Sequence, residues 1–273
     1  MNANVEAILR KYDVDPSGFS VASEAFGVLT GQVAGLQATD LWFDLRNAFE
    51  QTSLWPVIRG EPDGSERTPV DAAATLAAAQ ALSLRDVLAA PLQKQRAFAT
   101  DLMGLEVPAD VDAAGLAQML DASGAFSFGG RKQLPDSWPT VPTTTSSVIL
   151  KSTRSILSPE PLPVVTLSLL DLKHPYEAPA YLGFGGWNDC PTPEIQVAAL
   201  RDWFQRFGAV PAAMTGDVME CIVSRPPENE ADSLELAADQ WLFCDDIVSQ
   251  GTMSVRRLAI ELWRQPQWFF WWD

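Results

Sequence analysis

"TPEIQVAALRDWFQRFGAVPAAMTGDVMECIVSRPP", residues 192–227, switches period half-way along, and that switch decides the fold class. The first half is a helix with both ends marked. Thr192 stands at the cap, Pro193 in the first turn where its missing N–H costs nothing, and Glu194 beside the positive end of the helix dipole. Gly208 stops the run, and Leu200, Trp203, Phe204 and Phe207 recur at helical spacing as a buried stripe. The second half, "AVPAAMTGDVMECIV", reads as two apolar strands around the turn "TGD". A helix that runs straight into a hairpin predicts an α+β fold.

Working outward, "VVTLSLLDL" (164–172) predicts a buried strand, and "EADSLELAADQWLFC" (230–244) and "SVRRLAIELW" (254–263) predict two helices. "QWFFWWD" (267–273) closes the order as an interior strand. Trp268, Phe270 and Trp272 face one way and Phe269 and Trp271 the other, with Trp203, Phe207, Trp241 and Trp263 expected to cover them. Towards the N-terminus, a helix over 5–12 is broken by "DPSG". "TDLWFDLRNAFEQ" (39–51) predicts a helix capped by Thr39 or Asp40, burying Leu41, Trp42, Leu45, Ala48 and Phe49. "LWPVIRG" (54–60) is a short strand that Pro56 places at an edge or a strand start. The Ala- and Leu-rich stretch 70–120 reads as two or three helices. The expectation is a helix-rich N-terminal region over 1–128, a Gly, Pro, Ser and Thr-dense linker or long loop at 129–147, and an α+β domain over 148–273 with a mixed sheet packed by helices.

The chain of 273 residues is 47% hydrophobic, enough for a substantial core. Lys plus Arg number 19 and Asp plus Glu 35, a formal net charge of −16. The excess is even: both 1–140 and 141–273 come to −8. Such a surface repels nucleic-acid backbones and anionic lipid and attracts basic partners, so nucleic acid and membrane are not expected among its ligands. No run reaches the roughly 18 apolar residues of a membrane helix, and the first residues lack a basic-then-apolar pattern. Three widely spaced cysteines, Cys190, Cys221 and Cys244, read as reduced thiols in a cytoplasmic protein.

From about 180 to 273, "AYLGFGGWNDCP", "LRDWFQRFGA", "GDVMECIVSRPP", "LAADQWLFCDDIV" and "WFFWWD" follow one another at a spacing that resembles the largely bacterial family known as domain of unknown function 4253. "LWFDLRNAFEQTSLWPVIRG" (41–60) resembles a segment that often precedes that domain. The family usually carries Cys-Pro-Asp where this chain has Cys244, Asp245 and Asp246. The resemblance implies no activity and no catalytic residue.

Two stretches hold candidate chemistry. In "YLGFGGWNDCP" (181–191), Gly183, Gly185 and Gly186 free the backbone. Trp187, Asn188, Asp189 and Cys190 then offer an indole, an amide, a carboxylate and a thiol, so Gly185, Gly186, Trp187 and Asn188 are candidate ligand contacts. The alternative is a strand ending in a tight turn. Cys190 before a helix N-terminus is the best candidate nucleophile, His174 (the single histidine) the only imidazole base, and Asp189 the orienting acid. Neither a dinucleotide fingerprint nor a Walker loop is present, and no close Cys or His pair suggests a metal or cofactor site. The second stretch lies between Arg225 and Arg256, which contains no Lys or Arg. There Asp232, Glu235, Asp239, Asp245 and Asp246 are either a solvated face or a docking surface for a basic protein. The charge favours a non-enzymatic acidic protein-binding module, of an immunity or antitoxin type that masks a basic partner. The alternative is an enzyme or small-ligand binder that uses Cys190.

Overall fold

One mixed sheet runs through the molecule. Its strands are β1 (Ser20–Ser23), β2 (Val28–Val33), β3 (Leu54–Ile58), β4 (Val165–Asp171), β5 (Ala209–Met214), β6 (Val218–Val223) and β7 (Gln267–Trp271). They lie in the order β1-β2-β4-β3-β5-β6-β7, antiparallel except where β3 meets β5. The computed structural model describes residues 2–23, 28–62, 71–126, 137–142, 148–155 and 159–273, so most of the linker expected at 129–147 lies outside the described residues. The fold is α+β, and the sheet draws three strands from before residue 60, of which the sequence announced only β3. β2, "VLTGQV", escaped because a Gly and two polar residues dilute its apolar pattern.

Pro56 was expected at an edge or a strand start, yet β3 is interior, between β4 and β5. The sheet tolerates it because the β5 side of the ladder is thin. Only Ile58 and Ala213 pair there, and β5 is itself bulged beside Pro211. Indoles take over: Trp55 Nε1 donates to the Pro211 carbonyl and Trp42 Nε1 to the Pro56 carbonyl, both at 2.9 Å. Trp42 sits on α2 (Gly35–Asn47), which lies between α1 (Ala3–Lys11) and the single turn α3 (Phe49–Thr52) and starts four residues before the expected cap. Thr39 is instead buried inside α2, where its hydroxyl accepts from Leu150 N at 3.3 Å.

The two faces of the sheet are covered differently. On β6, Met219 and Cys221 point one way and Glu220 the other. On the Glu220 side lies a strap, the 3-10 turn Lys151–Thr153. The fully buried carboxylate accepts from Lys151 N at 2.8 Å, Ser152 N at 2.7 Å and Gln267 Nε2 at 2.6 Å. On the opposite side pack α8 (Pro193–Phe207), α9 (Glu230–Phe243) and, against α9, α10 (Val255–Leu262). The N-terminal helices α4 (Ala72–Gln80), α5 (Leu84–Ala97) and α6 (Ala113–Ser123) form an outer layer over α8 and α9.

The aromatic tail is an edge strand, not the expected interior one. Trp268, Phe270 and Trp272 are buried, whereas Phe269 and Trp271 are half-buried on the strap side, with the Lys151 ammonium 4.4 Å from the Phe269 ring. The cover comes from Trp203, Phe207 and Phe243. Trp241 and Trp263, also expected there, pack instead on Phe126 and Trp138. Truncating one buried aromatic costs about 3–5 kcal/mol, so losing three approaches the whole 5–15 kcal/mol or so that holds a typical domain. Deleting residues 268–273 is therefore expected to abolish the cooperative thermal transition seen by circular dichroism. A monomeric truncation that melts cooperatively near the parent temperature would refute the placement.

Candidate functional site

The Gly-rich loop follows a short helix, α7 (Ala178–Leu182), where a strand was the simpler expectation. It then closes on itself. Gly186 N–H donates to the carbonyls of Cys190 and Pro191 at 3.1 and 3.2 Å, and Cys190 N–H donates to Trp187 O at 2.9 Å. Gly185 has φ 110°, and a Cβ there would stand 1.9 Å from the Pro191 carbonyl, so only glycine lets the two backbones approach. Asn188 turns the loop at φ 46°, a left-handed conformation that asparagine tolerates. Trp187 meets Phe184 edge-on at 5.1 Å, and Phe184 meets Trp272 of the tail at 6.0 Å. The loop is thus hung from the aromatic core.

Cys190, His174 and Asp189 each have contacts of their own. Cys190 is 4% exposed, and Gln196 Nε2, one turn into α8, lies 3.4 Å from its sulfur. The His174 ring stacks on Tyr176 at 5.0 Å, while its backbone N–H donates to Glu177. Asp189 points outward, its side chain 81% exposed, 3.7 Å from the similarly exposed Lys94, an ion pair of little energetic weight. Gln196 is fully buried and its Oε1 has no partner among the described residues, a feature the sequence offered no signal for. The remaining thiols are core groups: burial pushes Cys221 far up and Cys244 up to about 12. Among the described residues no cluster of three or more His, Cys, Asp or Glu side chains could hold a metal ion.

These elements, β4 to β7 with α7 to α10, coincide with a known sequence family. Residues 166–273 match the family model described as a domain of unknown function (DUF4253). No curated protein and no solved structure gives a match to the chain. The matched DUF4253 segment starts inside β4 and excludes β3, yet β3 lies between β4 and β5. Its strands therefore form a continuous sheet only with residues 54–58 in place.

The acidic stretch is less free than its sequence suggests. Arg206, on α8, reaches Glu235 at 2.8 Å, Asp239 at 3.1 Å and Asp202 at 3.4 Å. Asp245 accepts from Trp241 Nε1 at 2.9 Å and Gln95 Nε2 at 3.0 Å, and Asp246 accepts from Gln250 Nε2 at 2.8 Å. Asp232 closes the N-terminal turn of α9 with Asn229. Of the five acids named in that stretch, only Asp232 and Glu235 remain largely exposed. Arg206 was missed because bases were sought within the stretch, not across the helix interface.

Two measurements check this site. Burial pushes the Asp239 carboxyl up to about 6, against the pull of Arg206. A raised folded-state value means that its contribution to stability is fullest below about pH 4 and is lost as pH rises through about 6. Asp239→Asn is therefore expected to flatten the fall in unfolding free energy between those limits, read by urea titration at several pH values. Cys190, packed under Gln196, is expected to react with a thiol reagent at neutral pH only as fast as the chain opens, so its rate should rise with denaturant. Rapid labelling of the native protein would mark Cys190 as exposed and poised.

Proposed function

We propose that this protein is a non-enzymatic acidic binding module whose partner is a basic protein, in an immunity or antitoxin-type role of masking that partner. The observation that carries the reading is the net charge of −16, spread evenly along the chain. A surface of one sign accelerates encounter with an oppositely charged partner and disfavours wrong ones. Nucleophilic use of Cys190 would need base and thiol to converge, and the surroundings of Cys190, His174 and Asp189 give that reading no support. Among the described residues no helix is long and apolar enough to cross a membrane. The test is affinity capture on the full chain at low salt, followed by titration calorimetry with the recovered protein. The expected partner is basic, and its affinity should weaken at least about tenfold between about 50 and 300 mM salt as charges are screened. A neutral or acidic partner, or affinity indifferent to salt, would sink the reading.

A further inference from the structure

β1 covers only part of its neighbour. Its pairing with β2 ends at Ser20 and Thr30, because the chain before it turns away through the 3-10 turn Pro16–Gly18. Which backbone groups this leaves open follows from the far side of the sheet. Thr166, opposite Gln32 in the β2–β4 pair, donates its N–H to Gly60 O at 2.9 Å and accepts from Arg59 N at 2.8 Å, so both its polar groups face the β3 side. In an antiparallel ladder one residue's N–H and C=O point the same way. The pair Gln32–Thr166 is therefore the non-hydrogen-bonded kind, and the N–H and C=O of Gln32 point where β1 has ended.

An open cleft of about 690 Å³ lies at this place. Thr30, Gln32 and Thr166 line it from the sheet, Val164 from just before β4, and Phe19, whose ring covers Gly31, from the chain before β1. Asp13 and Asp15 also line it, and among the described residues no Lys or Arg does. The neighbouring bases are engaged, Arg10 with Glu6 at 3.0 Å and Lys11 with Asp44 at 2.6 Å. Asp13 and Asp15 are exposed and have no ion pair among the described residues, although Asp15 caps the 3-10 turn by accepting from Ser17 N at 2.9 Å and Ser17 Oγ at 2.6 Å.

We propose that the cleft receives an extended basic segment of a protein partner, which adds as a strand to the open end of β2 at Gln32 and sets Arg or Lys side chains against Asp13 and Asp15. Strand addition draws affinity from main-chain hydrogen bonds and selectivity from alternate side chains. The proposal rests on the basic-partner reading and replaces the acidic stretch at 232–246 as the place of contact.

The full chain, labelled with nitrogen-15, is titrated with acetyl-Val-Arg-Val-Arg-Val-amide and with its Glu-for-Arg counterpart. The Arg peptide is expected to shift the Gln32 amide saturably and slow its hydrogen exchange, and the Glu peptide to do neither. Gln32→Pro removes an N–H that has no backbone partner among the described residues. It should weaken binding about tenfold, the worth of one hydrogen bond, with little change in melting temperature. If that variant melts early, Asp13→Asn with Asp15→Asn decides, by weakening binding and removing its salt dependence. Saturable binding elsewhere with Gln32 unmoved overturns strand addition and leaves the basic-partner reading standing. Failure of the Arg peptide to bind at millimolar concentration also overturns strand addition, while the capture experiment judges the broader reading separately.

Discussion

Trp203 is the fixed point around which the rest of the molecule is arranged. Its ring stacks on Phe270 at 5.5 Å and meets Phe243 and Trp268 edge-on at 5.0 and 5.9 Å, so α8, α9 and β7 are locked in one contact set. Offset and edge-on ring pairs add about 0.5–1.5 kcal/mol each beyond the area they bury. Phe243 and Phe270 both reach Trp272, and Trp272 reaches Phe184. The Gly-rich loop thereby inherits its position from a tail more than 80 residues away. An aromatic ending that looks hazardous in isolation is the anchor of the loop most suggestive of chemistry.

The N-terminal residues complete what the C-terminal segment leaves open. β3 stands between β4 and β5, and several helix ends are satisfied by side chains from distant sequence. Asp121, on α6, accepts from Ser254 Oγ and from Val255 and Arg256 N–H at 2.9–3.1 Å, and so caps α10. Burial raises its carboxyl while those donors pull the other way. Arg201 of α8 donates to the carbonyls of Ala79 and Leu82 at the end of α4. Glu220 holds the strap in the same manner. Buried backbone groups at helix ends must find partners, and here the partners cross between the N-terminal helices and the region matched by the family model.

The candidate sites show where one-dimensional reading stops. The turn at 181–191 was legible from its glycines, because positive φ and close backbone approach are local demands that only particular residues meet. Whether its thiol, carboxylate and imidazole converge is not a local matter. Cys190 turns inward to Gln196 and Asp189 outward to solvent, although they are adjacent. The acidic stretch illustrates the same limit, since the nearest base in space, Arg206, lies on another helix. Likewise the open end of β2 emerges only from the partners of Thr166 on the far strand.

By itself the sequence determined the α+β class, the helix over 193–207 with its proline start and glycine stop, the hairpin around "TGD", and the alternation of the last strand. Those features depend on period, caps and turns, all set by residues within a few positions of one another. The tertiary structure alone decided the strand order, the interior place of Pro56, the edge place of "QWFFW" and which acids keep their charge free. Pairing partners, burial and ion pairs depend on what packing brings from far along the chain, and no local pattern encodes that distance.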